Sequence, residues 1–426
     1  MTKTIALAVL LLMAAPDDAR VASLREHAVA VRSIDPADDD FRDLEPLRKT
    51  LKGVRVVMLG EQDHGDGTTF LAKTRLIRFL HERMGFDVLA FESGLYDCAK
   101  VWEFLQAGEP AQTAVPRGVF AIWTRTREVQ PLIEYIGAQM KTKHPLEIAG
   151  VDNQLTGPVS EKLLAGDLAK AIGPELAHGP EWDRVVRVIN LLASSAWEAQ
   201  TEPVPSAEEQ AAFARTIETW RSRIDSAFWK QFLKSLRTSA EQEWRTDYRD
   251  FAGNVEVFAM RDLQMGDNLL WLAREKYPKR KIIVWAATAH NARNIGIVDP
   301  GNAKKPKPYT EKTASGDAVW RPMGDVAHRI LGNELYSVGF ISHEGEWGRY
   351  FAKEAQPVPA PSAGSLEDLF ARAGFTTAFL DFRRAPAWLH ERLASQMFGH
   401  TEMRADWSRV VDGVVYLRRM ERAHKK

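Results

Sequence analysis

Short runs of apolar, often β-branched residues recur along the chain, and each stops at a glycine or a polar residue. Val54-Arg-Val-Val-Met-Leu59 breaks at Gly60, and Asp87-Val-Leu-Ala-Phe91, Leu146-Glu-Ile-Ala-Gly-Val151, Lys281-Ile-Ile-Val-Trp-Ala286 and Leu335-Tyr-Ser-Val-Gly-Phe-Ile341 follow the same rule. Further strands begin at 376 and 414. Near-continuous apolar runs of this length read as strands buried on both faces, the habit of parallel sheets. Between the first two runs, Phe70 to Met84 carries apolar residues at 70, 71, 76, 77, 79, 80 and 84, mostly on one helical face, and Gly85 supplies the stop. Residues 54–91 thus read as strand, helix, strand, a right-handed crossover by default. From about Ser160 to Arg274 strand signals vanish, and Val185–Leu192 and Phe213–Leu236 have helical spacing. The pattern predicts an α/β fold of three layers, a mostly parallel sheet with helices on both faces and a helical insertion between its two halves. The expected divisions are a first α/β half over 41–159, the insertion over 160–275, a second α/β half over 276–418 and a basic tail over 419–426.

The chemistry gathers where the runs end. The first leads into Glu61-Gln-Asp-His64, the second into Glu92, the third into Asp152-Asn153, the fourth into His290-Asn291 and the fifth into Ser342-His343-Glu344. In open α/β sheets ligands bind in the crevice beyond the C-terminal strand ends. If the strands are parallel, these groups share that edge. A carboxylate three residues before a histidine can orient the imidazole and stabilise its protonated form, as a general base requires. Taken singly, Glu61 reads equally as a loop-capping residue, and Asp152 as a turn or helix cap. The recurrence at one edge is what points to a site. Any of ester, lactone, amide or phosphoester hydrolysis can begin from such a pair.

Leu59-Gly-Glu61-Gln-Asp-His64-Gly65, Leu76-Ile-Arg-Phe-Leu80, Gly85-Phe86, Ala90-Phe-Glu92, Gly150-Val-Asp152, Arg261-Asp262 with Met265 and Asp267-Asn268, Ala289-His290-Asn-Ala292, Pro322-Met323-Gly324, Gly332-Asn333 and Ser337-Val-Gly339 occur in an order and spacing that resembles the erythromycin esterase family, over roughly Phe41 to Leu417. The resemblance implies a hydrolase that opens the macrolactone ring of macrolides, or a related ester or lactone, by water attack. It implies His64 as general base, Glu61 as the acid that orients it, and Glu92 and His290 as the rest of the catalytic set. Arg261 takes weight from it as a pocket residue. Asn291, Asp152 and His343 join Arg261 as expected substrate contacts, the resemblance itself assigning nothing to His343. Members usually carry a glutamate and an arginine on the helix after the G-E-x-x-H turn, where Thr68 and Lys73 stand here, and a second histidine in some members is Arg293. Lys73 is therefore expected at the substrate, without the planar fork of arginine. Arg75 is a poor substitute, facing about 200° away on a helix. Two other readings stand beside hydrolysis: an exported metal- or haem-binding protein, and a scaffold that binds a ligand without turnover. Imidazole and carboxylate suit a divalent metal, but the turn lacks the second histidine of a helical zinc motif, and no cofactor is expected.

Composition narrows the classes. Lysine plus arginine and aspartate plus glutamate each number 57 in 426 residues, so no basic field calls for nucleic acid or an anionic membrane. The lone Cys98 excludes an internal disulfide. Met1-Thr-Lys3 followed by the apolar run Ile5 to Ala15 reads as an export signal within residues 1–20, too short to span a bilayer, and implies a periplasmic or secreted protein without a lipid anchor. Proline-rich loops at Asp299–Pro322 and Glu354–Ser365 are candidate covers of the site. Trp182, Trp197, Trp220, Trp229 and Trp244 in the helical stretch read as interhelix packing, or else as apolar walls for a bulky ligand. His27, His81, His144, His178, His328, His390, His400 and His424 have no partner in the sequence and receive no role. Oligomeric state is silent.

Overall fold

Val56–Leu59 forms strand β2, buried at all four positions. Its side chains alternate, Val57 and Leu59 packing with Phe70, Ile77, Phe91 and Trp285 on one face, Val56 and Met58 with Val88, Leu269 and Leu272 on the other. A strand with apolar partners on both faces needs a helical layer on each side, which is why the apolar runs are continuous. The computed structural model describes residues 17–194, 202–247, 249, 255–301 and 320–426. Among these the sheet strands are β1 (Val29–Ala30), β2, β3 (Phe86–Gly94), β4 (Glu147–Asp152), β5 (Lys281–Trp285), β6 (Leu335–Trp347), β7 (Gln356–Pro357) and β8 (Thr377–Asp381). A separate hairpin follows, β9 (Leu393–Phe398) with β10 (Thr401–Ala405), and β11 (Gly413–Met420) rejoins the main sheet.

The strand order is β1-β8-β11-β6-β2-β5-β3-β4, with β7 on β6. β11, β6, β2, β5, β3 and β4 pair in parallel, while β8 is antiparallel to β11 and β1 to β8. The sheet is thus mostly parallel; the run at 376 supplies an antiparallel strand, and the short β7 pairs antiparallel with β6. β5 lies between β2 and β3, so strands from before and after the helical stretch interleave in one sheet. Register fixes the site: Leu59 stands opposite Trp285 and Val338, and Trp285 opposite Phe91. The residues that follow these partners leave the sheet along one line. Gly60 allows the tightest approach there, since a Cβ would lie 2.3 Å from Thr288 Oγ1.

The helix Gly67–Met84 follows β2 and ends, as the spacing predicts, on Gly85 at φ +70°, whose N–H bonds Leu80 O. Helices Pro158–Ile172, Gly179–Ala193, Ala207–Arg223, Ala227–Glu243 and Val255–Trp271 occupy the stretch between β4 and β5. Ser206 and Glu209 close a capping box at the third of them. Here Trp220 and Trp244 are buried, Trp182 packs on Trp220, and Trp229 lies against Tyr96 and Phe232, so these rings are core. Trp197 lies outside the described residues, as do residues 1–16 and 302–319. The last residues of the segment expected as an export signal are part of the fold: Asp17–His27 is a helix whose Arg20 is buried against Glu391. The expected basic tail is likewise built in. Ala423 N donates to Gly65 O at 2.8 Å, Glu421 N to Thr68 Oγ1 at 2.7 Å, and His424 Nδ1 pairs with Glu128 at 2.8 Å. No helix among the described residues is long and apolar enough to cross a membrane.

Candidate functional site

Glu61 has no exposed surface, and a carboxylate so placed must be fully partnered. His64 Nδ1 donates to its Oε1 at 2.7 Å and Trp123 Nε1 to the same oxygen at 2.9 Å, while Lys73 Nζ donates to Oε2 at 2.7 Å. Burial pushes Glu61 up, but the charges of Lys73 and His64 outweigh it and hold the carboxyl below its usual range. Burial depresses the His64 imidazole, and Glu61, Glu92 and Asp63 more than reverse this, so its pKa is raised. Because Nδ1 is committed to Glu61, Nε2 is the nitrogen left open. It lies 3.9 Å from Glu92 Oε1, beyond a hydrogen bond, and the side chain keeps 19% of its surface exposed. Trp123 fixes the ring edge-on, 5.3 Å between centroids.

The second histidine is held differently. His290 Nδ1 lies 2.8 Å from Asp262 Oδ1, and Nε2 lies 3.2 Å from Glu92 Oε1. With a carboxylate at each nitrogen both must donate, which is the imidazolium form. Burial lowers its pKa, yet Asp262 and Glu92 carry it up to about 10, although Arg261 Nη1 sits 3.3 Å from Nε2. Arg261 reaches from the helix Val255–Trp271, with Nη2 3.0 Å from Glu92 Oε1 and Nε 3.2 Å from Asp152 Oδ1. Glu92 is held well below the carboxylate range: burial opposes ionisation, but His290, His64 and Arg261 prevail. Its other oxygen accepts from Ala287 N at 2.9 Å, tying the end of β3 to the end of β5.

Glu61, His64, Glu92, Asp152, Arg261 and His290, all anticipated from the sequence, therefore meet at one edge. Lys73 does not face the cleft. Its ammonium has no exposed surface, sits 3.9 Å over the Trp285 ring and is committed to Glu61, which makes it a support for that acid and no substrate contact. Burial lowers its pKa against the pull of Glu61. Asn291 is buried with its amide nitrogen 3.4 Å from Ala286 O, and it has no hydrogen bond to the acids or histidines of the site. His343 is not brought in either; the charges that face it are Arg418, Glu344 and Asp368, and burial depresses its pKa. Arg75 points away as its helical phase requires, pairing with Asp43 at 2.8 Å. Cys98 is buried and its thiol pushed well above the usual value, the opposite of an activated nucleophile. The residues not anticipated as partners are Asp262, which also accepts from Trp320 Nε1 at 2.6 Å and Met323 N at 2.9 Å, and Trp123 in the short helix Ala121–Thr124. Asp262 was visible beside Arg261; no periodicity marks Trp123. Among the described residues no group of three or more His, Cys, Asp or Glu is placed to hold a metal ion. Lys73 and Arg261 already neutralise the carboxylates that would ligate one.

A buried set of acids and bases with one partly exposed imidazole thus stands at the C-terminal edge of a parallel sheet, the edge at which open α/β folds bind ligands. The chain belongs to the erythromycin esterase family, whose model matches residues 81–420, a span that begins after His64 and includes Glu92, Asp152, Arg261 and His290. It is 27% identical over 417 residues to the Bacillus subtilis (strain 168) protein named "Putative hydrolase YbfO", covering 92% of this chain and 89% of that one. It is 21% identical over 406 residues to erythromycin esterase type II of Escherichia coli, covering 88% and 92%. An erythromycin esterase mutant, EreC, solved in its open conformation, shares the fold with a TM-score of 0.64 at 18% identity, covering 91% of this chain and 96% of that one. Family and relatives together indicate a hydrolase.

Proposed function

We propose that the protein hydrolyses a carboxylic ester or lactone, macrolide rings among the candidates, with water activated by His64. The observation that carries this is the 2.7 Å contact from His64 Nδ1 to buried Glu61, which leaves a partly exposed Nε2 free to accept a proton. In this reading Nε2 takes a proton from water as the hydroxide adds to the carbonyl carbon. Glu61 holds the resulting imidazolium. Arg261, whose Nη1 is bonded to no carboxylate, offers N–H donors to the oxyanion that develops, and the positive charge of His290 stands beside it. The carbon–oxygen bond to the leaving group then breaks, and His64 returns its proton to the departing alkoxide. Acid and alcohol are the products, and no covalent enzyme intermediate is required. Because the His64 pKa is raised, the pH above which the base is available is shifted upward from that of an ordinary imidazole. We place the protein in the periplasm or outside the cell, on the apolar run Ile5 to Ala15 alone.

The test is mass spectrometry of a panel of macrolides, simple esters and lactones incubated with wild type and His64→Ala. A gain of one water seen only with wild type supports the reading. Equal gain with His64→Ala removes His64 as the base, and no gain with any compound removes the hydrolytic assignment for these substrates.

A further inference from the structure

The hairpin β9–β10 turns through Gly399 and His400, both at positive φ, +57° and +51°. That is the type I′ arrangement, for which Asn-Gly or Gly-Gly would be the unstrained choice. A histidine held in the left-handed region costs energy and is kept where its side chain has work elsewhere. The His400 side chain is almost wholly buried and stacks on Trp347 at 4.9 Å between ring centroids. Its Nε2 lies 2.8 Å from Asp66 Oδ1. The other oxygen of Asp66 accepts from Gln62 N at 3.1 Å and Asp63 N at 2.9 Å, the two backbone amides between Glu61 and His64. The turn grips the same loop twice more: Gly399 N donates to Gln62 O at 3.0 Å, and Gln62 Nε2 to Gln396 O at 2.7 Å.

We infer that the β9–β10 hairpin is the buttress of the His64 loop and that His400, acting through Asp66, is a positioning residue for the Glu61–His64 pair. The inference rests on His64 being the working base and is silent on the substrate. Asp66 is a buried acid whose two functions are linked. It orders the loop only while its carboxylate is anchored from behind, and His400 is the side chain that anchors it. Without that anchor the Glu61 carboxylate and the His64 ring lose their fixed separation.

The decisive variant is His400→Gly. Glycine relieves the turn of its strained φ, which offsets part of the cost of the emptied ring site, so a merely structural role predicts a change in stability with the surroundings of His64 unaltered. The readout needing no substrate is the histidine NMR titration of His64, assigned with His64→Gln. In wild type Glu61, Glu92 and Asp63 hold it above the ordinary imidazole value. The positioning role predicts a fall toward the ordinary value in His400→Gly. A parallel assay with p-nitrophenyl butyrate predicts a drop in kcat of about tenfold or more with KM little changed. An unchanged His64 titration in a folded His400→Gly protein overturns the inference. If wild type does not turn over the ester, only the hydrolytic reading suffers, because the titration still decides. Should His400→Gly fail to fold, Asp66→Asn, nearly isosteric, is measured the same way, and an unmoved His64 there overturns the inference equally.

Discussion

The ends of β2 and β5 are neighbours in the sheet, and each delivers a histidine beside Glu92, yet the two imidazoles are built for opposite work. His64 has one acid at hydrogen-bond distance and one at 3.9 Å, leaving Nε2 open. His290 has an acid on each nitrogen, at 2.8 and 3.2 Å, and about half the exposed side-chain surface. The first has a nitrogen open to a proton; the second is held toward its charged form by the acids on either side. What separates an open imidazole from a charged one here is the number of carboxylates in reach, and a sequence does not show that number. Of the two histidines Glu61 holds only His64, with Lys73 and Trp123 as its other partners, while Glu92 is shared between both histidines and Arg261.

The largest effect should come from removing the base. His64→Ala is expected to lower turnover by about three orders of magnitude, the usual reach of a positioned general base, with the fold kept but some stability lost, since buried Glu61 then has two partners where it had three. Full activity in that variant would erase the distinction between the two histidines. Next comes the cation. His290→Gln should cost about a hundredfold in kcat and, by stripping Asp262 and Glu92 of a buried partner, about 3 kcal/mol of stability, read from chemical denaturation. The sign of the pH dependence sharpens this. With the folded pKa at about 10 against 6.5 for an unperturbed imidazole, the His290 contribution is fully present below pH 6.5 and is lost as pH rises through 10. Wild-type stability should therefore fall across that window more steeply than that of His290→Gln, and parallel slopes would show that His290 is not charged. A smaller change is expected from Asp262→Asn, which keeps a neutral acceptor for His290: the alkaline limb of the rate profile should move to lower pH. Smallest is Lys73→Arg, which preserves charge beside Glu61. It should change rates by less than about tenfold, and the gain in substrate affinity expected of a cleft residue should be missing.

Much of this edge was legible because a buried parallel sheet writes itself plainly. Every run from Val56 to Tyr416 that became a parallel strand is apolar on both faces, and the strand ends point to Glu61, Glu92, Asp152 and His290. The limits have physical causes. Depth is not coded by position, so Lys73 reads as a cleft residue until the structure shows it beneath Glu61. Strand-end location is not direction, so His343 leaves β6 toward Arg418 and Asp368. The hairpin Leu393–Ala405 was missed because Ser395 and Gln396 interrupt its apolar run and Gly399-His400 is an uncommon turn pair; both polar residues are buried, bonding to Glu367 and the Pro359 carbonyl. With the hairpin went His400. Asp262 was in view but its partner lay 28 residues away.

The most direct test of the two-histidine account is the pH profile of kcat/KM for wild type and His290→Gln, on whichever ester or lactone the panel identifies. The account predicts a bell for wild type, its acid limb above pH 6.5 as His64 must lose a proton and its alkaline limb near 10 as His290 loses one, and a slower His290→Gln enzyme that keeps the acid limb and lacks the alkaline one. An acid limb that disappears with His290 would make His290 the base and contradict the account.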